Sequence, residues 1–281
     1  MKKYKKENCS PKGKEKLDFT CYTSEGLVKL KEIWNARHPD SMITSNEPRK
    51  IWEQLKVKMG KTCDRESCWL KHQCIKENVD KALLDYTFAP DTPEEWKKKP
   101  FEWLSSIEIS QVMKQYEHVY KCFEFLGPSP IDFDKHKLYG ECVWEELCKF
   151  NLLETIKRGK SKIGIIFNID PHYKEGSHWV AMFIDMTHPL HYIDYFDSAG
   201  DKPPQLIHKF MKSIKTKFDK NKDDSVLIYN DRRHQYGTSE CGVYSIYYIL
   251  SRIENKTPFE LSKKHITDAQ MNKLRDYYFR R

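Results

Sequence analysis

Apolar residues follow two different periods along this chain. Between residues 25 and 86 they recur at helical intervals: Leu27, Leu30, Ile33 and Trp34 at i, i+3, i+6 and i+7, then Ile51, Leu55 and Met59 at fours. The stretch 87–100 holds Pro90, Pro93 and Pro100, and three prolines in eleven residues predict a linker or domain boundary. Beyond it, Ser105-x-x-Glu108 has the form of a capping box and opens a helix with Ile109, Val112, Met113 and Tyr116 on one face. The period then shortens. Runs rich in β-branched and aromatic residues predict strands at 163–169, 179–186, 190–196 and 225–229. Between the last two, Pro203-Pro204 opens a helix that turns Ile207, Phe210, Met211, Ile214 and Phe218 inward. The last clear element starts at Cys241, with Val243, Ile246, Leu250 and Ile253 in one stripe. No repeat of solenoid period is visible. The pattern predicts an α+β fold, a mixed central β-sheet flanked by helices, organised as a basic flexible N-terminus (1–20), a helical arm domain (21–92) and a main domain (93–281).

Composition bounds this picture. With 281 residues, 39% of them hydrophobic and 13% aromatic, the chain has core material for one good domain and an attachment. No run approaches 18 apolar residues, so neither a membrane-spanning helix nor a membrane partner is expected. The first twenty residues are basic without an apolar centre, which argues against a secretory signal peptide. On that footing the nine cysteines are expected as reduced thiols. Cys63-x4-Cys68-x3-His72-x-Cys74 offers four ligand types, but its spacing departs from that of zinc fingers. Cys122, Cys142 and Cys148 read as core or surface thiols, and neither metal nor cofactor is expected. The net charge of +8 is concentrated at the N-terminal end, where residues 1–62 carry 15 Lys/Arg and 8 Asp/Glu. That imbalance suits either a solvated basic arm or weak docking to an acidic partner such as nucleic acid.

One group of residues carries chemistry. His234-Gln235-Tyr236-Gly237-Thr238-Ser239-Glu240-Cys241-Gly242 is a polar, glycine-containing loop that ends on a cysteine at a helix start. Free N–H groups and partial positive charge there favour a thiolate, and Gly242 would leave room for a substrate backbone. A thiolate nucleophile needs a base, and His178 opens an apolar strand. The base needs an orienting acid, and Asp197 ends the next strand. Asp194 competes for that role, but three residues along a strand it points to the opposite face. Gln235 and the Cys241 backbone N–H are the candidate oxyanion donors.

The order His-Trp, Asp-Ser and Gln-x5-Cys-Gly resembles the Ulp1-like, SUMO-protease-like cysteine proteases, and within them the core-polyprotein proteases of large cytoplasmic DNA viruses. The matching residues are His178-Trp179-Val180-Ala181, Tyr195-Phe196-Asp197-Ser198, Arg233-His234-Gln235 and Glu240-Cys241-Gly242, with Trp103-Leu104 similar to the Trp-Leu segment that opens the protease domain. The resemblance implies a thiol protease that cuts viral structural polyproteins at Gly-Gly-X sites. Its catalytic residues would be His178, Asp197 and Cys241, Gln235 would serve the oxyanion, and Trp179 would close a narrow substrate tunnel. It also implies action in the host cytoplasm, at the viral factory, and in the virion. Two positions depart from some viral relatives: Asp197 stands where they carry Asn, and Thr238 where they carry Gln.

Two other functions fit parts of the sequence. A host-directed isopeptidase that removes ubiquitin or SUMO would use the same triad. A non-catalytic, nucleic-acid-binding virion protein would use the basic arm, but nothing in binding requires His178, Asp197, Gln235 and Cys241 together.

Overall fold

The computed structural model describes residues 6–11, 17–72, 81–137 and 139–280, without the side chains of residues 71 and 72. The chain divides into two units, one of residues 1–92 with 276–281 and one of residues 93–275.

The first unit holds four helices, α1 (Ser24–Arg37), α2 (Pro48–Met59), α3 (Ser67–His72) and α4 (Lys81–Tyr86). Thr23 caps α1 by accepting the Gly26 N–H. Leu27, Leu30 and Trp34 of α1 and Ile51, Leu55 and Met59 of α2 share one core with Tyr22, Trp69 and Phe88. Ile33 is only half-buried, at the margin of the predicted stripe.

Two expectations are corrected here. The described part of the N-terminus is anchored, not flexible. Cys9 pairs with Cys21 and bridges Phe88, and Glu7 accepts hydrogen bonds from the Ser67 N–H and hydroxyl at 2.8 and 2.6 Å. The cysteines are not all reduced thiols either. Cys9–Cys21, Cys63–Cys68 and Cys142–Cys148 are disulfides, and Cys122 and Cys241 are free. Each pair is separated by no more than 12 residues, so local chain turns bring the sulfurs together without any long-range signal in the sequence. The Cys63–Cys68 bond removes two ligands from the candidate zinc group, and Cys74 lies outside the described residues.

The second unit begins with a 3-10 turn at Glu94–Lys97. It continues through α5 (Ser106–Val119), β1 (Phe123–Phe125), β2 (Ser129–Pro130), α6 (Glu145–Cys148), α7 (Leu152–Lys157), β3 (Lys162–Asn168), β4 (Trp179–Asp185), β5 (His191–Phe196), α8 (Gln205–Lys220), β6 (Ser225–Tyr229), α9 (Cys241–Ile253), α10 (Pro258–Lys263) and most of α11 (Asp268–Tyr278), whose last residues, from 276, are counted with the first unit. The capping box forms: Glu108 accepts the Ser105 N–H and the Ser105 hydroxyl accepts the Ile107 N–H. Strand order is β1-β3-β4-β5-β6, with β2 also on β3. Pairs β3–β4 and β4–β5 are antiparallel and the others parallel, so the sheet is mixed, as the pattern predicts.

Helices cover both faces. Ile207, Met211, Ile214 and Phe218 of α8 pack on Val180, Met182, Ile193 and Tyr195. On the alternate face, Asp194 and Phe196 meet α9. Gly164 lets α9 approach, because a Cβ there would sit 2.9 Å from the Ile249 side chain. At the far end of α9, the buried Arg252 guanidinium bonds Asp194 at 3.0 and 3.1 Å and Asp185 at 3.2 Å, and the Tyr248 hydroxyl donates to Asp194 at 2.6 Å. This network anchors α9 to β4 and β5. Replacing Arg252 by Leu leaves two buried carboxylates without their cation. Chemical denaturation should then show a loss of about 3–5 kcal/mol, and an unchanged midpoint would show that the network contributes nothing.

Candidate active site

The register of β4 and β5 places the first two groups. Ala181 lies opposite Phe196 and Met182 opposite Tyr195. One step further puts Asp197 across from Val180, two residues from His178 and on the same side of the sheet. His178 Nε2 is 2.7 Å from Asp197 Oδ1. Asp194, one of the two candidate acids, is committed to Arg252 and Tyr248 on the other face.

Asp197 is itself clamped. Its N–H donates to Asn230 Oδ1 at 2.8 Å, and Asn230 Nδ2 donates back to the Asp197 carbonyl at 2.8 Å. Oδ1 of Asp197 also accepts the Ala199 N–H at 2.7 Å. Asn230 directly follows β6, which pairs in parallel with β5.

Cys241 is the first residue of α9 and only 1% exposed. Cys241 as well as Asp197 acts electrostatically on the His178 imidazole. Since Nε2 faces Asp197, Nδ1 is the nitrogen that serves the sulfur. Burial pulls the imidazolium down, but the Asp197 hydrogen bond and the charges of Asp197 and Cys241 outweigh it and push His178 up to about 10.

Gln235 is tied to the same strand end. Ser198 donates its hydroxyl to Gln235 Oε1 at 2.7 Å, and the Ser198 carbonyl accepts the N–H groups of His234 and Gln235 at 2.8 and 2.9 Å. These contacts orient the amide and leave Nε2 as its donor end, which reaches the Gly237 carbonyl at 3.1 Å. The Asp197-Ser198 dipeptide therefore organises both the acid and the amide.

Two readings of single residues change. Gly242 does not leave a gap for substrate, because a Cβ there would meet Leu104 Cβ at 2.9 Å. Its missing side chain lets the Trp103-Leu104 segment close onto α9. Trp179 is 8% exposed, and its indole N–H donates to the Leu104 carbonyl at 2.9 Å, so it fastens that segment from the other side. Trp103, at 36% exposure, is the more open indole. A cavity of about 670 Å³ is lined by Trp103, Leu104, Asn168, His172 and Trp179.

Sequence reasoning did not single out Asn230, Ser198 or Asp268 as supports. Asp268, at the start of α11, accepts the Tyr236 and Gly237 N–H groups at 3.0 and 2.8 Å and so holds the loop that carries Gln235. His234 is fully buried, stacks on His265, lies tilted against Phe196, and accepts the Ile266 N–H at Nδ1. Burial and the neighbouring His265 and Arg232 bring it down to about 4, which keeps it neutral at neutral pH.

A sheet sandwiched by helices, with a cysteine at a helix start linked electrostatically through histidine to aspartate, defines a cysteine protease. Residues 155–281 match the Ulp1 protease family, C-terminal catalytic domain. Over those residues the chain is similar to a Ulp1-type catalytic domain. It is 29% identical, over 97% of its length and 93% of the relative's, to an Acanthamoeba polyphaga mimivirus protein provisionally named a thiol protease. It is 28% identical to the SUMO-1 cysteine protease of African swine fever virus, over 86% of this chain and 92% of that one. The crystal structure of the African swine fever virus protease superimposes with a TM-score of 0.70 at 23% identity, covering 97% of this chain and 95% of that one, a likeness of fold.

The raised His178 sets a pH dependence. Its value lies above the ordinary 6.5, so the stability it contributes is complete below about pH 6.5 and is lost as pH rises toward 10. Asp197→Asn removes the charge and weakens the hydrogen bond that hold the proton. The alkaline fall of kcat/KM should move to lower pH, with a rate loss of roughly a hundredfold. An alkaline limb that stays in place would show that Asp197 does not govern His178.

Proposed function

We propose that this chain is a viral thiol protease that cuts structural polyproteins after Gly-Gly, acting in the host cytoplasm and in the virion during maturation. The observation that carries the reading is the His178 imidazole bonded at Nε2 to Asp197 and held charged by Asp197 and Cys241 together, next to Trp179, which with Trp103 edges a cavity. The names of the viral relatives, thiol protease and SUMO-1 cysteine protease, support the protein-cleaving class. The Gly-Gly preference comes from family resemblance. A cleft walled by indoles is compatible with it, since residues without a Cβ pass most easily between flat rings.

In this mechanism the Cys241 proton already rests on His178 Nδ1, since a value of about 10 keeps the imidazole charged at neutral pH, and the sulfur attacks the carbonyl carbon of the second glycine. The developing oxyanion is received by the Cys241 N–H and by Gln235 Nε2, which the Ser198 hydroxyl holds amide-side out. The imidazolium, kept charged by Asp197, gives its proton to the leaving amine. Water, activated by the same Nδ1, then attacks the thioester and releases the acid and the free sulfur.

Cys241→Ala should abolish cleavage, and Gln235→Ala should reduce kcat by roughly a hundredfold or more with KM little changed. Both variants belong in a panel that sets a Gly-Gly-X peptide against its Ala-Gly-X counterpart and against ubiquitin- and SUMO-linked substrates. The reading requires the Gly-Gly peptide to be cut and the Ala-Gly peptide spared. Exclusive cleavage of modifier-linked substrates would transfer the activity to an isopeptidase, and wild-type rates in Cys241→Ala would end the assignment.

A further inference from the structure

Apart from the catalytic triad, the described residues bring one other set of thiols and imidazole together. His136 and Cys142 face each other in an antiparallel bridge. The hairpin around them is closed by Val143 N–H to Lys135 O at 2.8 Å and Lys137 N–H to Glu141 O at 2.7 Å. The turn uses Gly140 at φ +80°. Cys148 arrives from α6, one turn beyond the hairpin. The three ligand atoms lie within 4.8 Å of one another, and His136 Nε2 is 3.9 Å from Cys142 Sγ.

The two sulfurs are joined as a disulfide here, and once reduced the three atoms are near enough to surround a metal. In a tetrahedral zinc site, bonds of about 2.3 Å to sulfur and 2.0–2.1 Å to nitrogen set sulfur–nitrogen edges of about 3.5 Å. The Cα atoms of Cys142 and Cys148 are 6.2 Å apart, so two thiolates can share an ion by side-chain rotation. A Cys2His donor set is soft, with the thiolate and imidazole character that selects zinc over magnesium or calcium. Glu145 stands at hand: it accepts the Cys142 N–H at 3.0 Å. The fourth position falls to its carboxylate or to water.

We infer that His136, Cys142 and Cys148 form a thiophilic metal site of zinc type once the Cys142–Cys148 disulfide is reduced. That reduction needs two electrons. A water-soluble phosphine reduces the disulfide, becomes a phosphine oxide with oxygen from water, and leaves two thiols carrying that water's hydrogens. The ion then displaces both thiol protons into solvent as the two metal–sulfur bonds form. Either cross-link fastens the same hairpin. Its Lys137 and Val143, with the adjoining Trp144, line the cavity that Trp103 and Trp179 also edge. The site is thus a staple on one wall of that cavity, and it holds whether or not Gly-Gly is the sequence cut.

The test is cobalt(II) titration of the full chain reduced with tris(carboxyethyl)phosphine, followed by displacement with zinc. A thiolate-to-cobalt charge-transfer band should saturate at one equivalent and vanish on adding zinc. The paired change Cys142→Ser and Cys148→Ser should remove it, while Cys63→Ser with Cys68→Ser should leave it intact. His136 is exposed, so His136→Ala leaves folding undisturbed and should weaken binding about tenfold or more. That variant decides the matter even if the cysteine pair proves necessary for folding. Absence of the band in the reduced protein, its survival in the Cys142/Cys148 variant, or unaltered affinity in His136→Ala would each overturn the site.

Discussion

The antiparallel register between β4 and β5 is the constraint on which the site depends. It fixes where His178 and Asp197 stand before any catalytic contact forms, because Ala181 must face Phe196 for the apolar faces of both strands to remain covered. A slip of one residue would turn Val180, Met182 and Ile184 away from α8 and bring charged Asp185 toward it. Burial of the sheet core therefore enforces the 2.7 Å contact between imidazole and carboxylate. The parallel pairing of β6 on β5 then delivers Asn230, whose amide grips both sides of the Asp197 peptide.

The nucleophile is placed by a different means. α9 is buried along nearly its whole length, and two contacts near its ends determine where Cys241 lies. Arg252 is locked between Asp194 and Asp185 at one end, and Gly242 packs on Leu104 at the other. Leu104 is in turn fastened by the Trp179 indole, the residue next to the base. Sulfur, imidazole and the edge of the cavity thus share a single packed junction. The Ser198 contact ties the Gln235 amide to the end of the strand that carries Asp197.

Much of this was legible in the sequence, for a physical reason. Periodicity records burial, so the stripe of α9, the inward face of α8 and the apolar runs of β3 to β5 could be read directly. The chemical order from His178 to Cys241 was legible because catalysis demands particular residue types at strand ends and a helix start. What was hidden depends on contacts between distant positions. Nothing near Gly242 announces Leu104, 138 positions earlier, and nothing near Asn230 announces Asp197. The short strands β1 and β2 have too few residues for a period to appear, and α10 and α11 are too polar to show a strong stripe. The disulfides escaped because pairing here follows local turns, which leave no long-range signal in the sequence. The Trp179 indole fastens Leu104, while Trp103 keeps the more open face.

The central claim is that the buried Cys241, and not the exposed thiol Cys122, is the nucleophile made accessible to a peptide carbonyl. The most direct measurement is reaction of the native chain with a Gly-Gly peptide bearing a terminal electrophile, followed by mass-spectrometric mapping of the modified residue. The account predicts a single adduct on Cys241 that is lost when His178 is replaced by Ala. Modification of Cys122 in its place, or of Cys241 at an undiminished rate without His178, would contradict it.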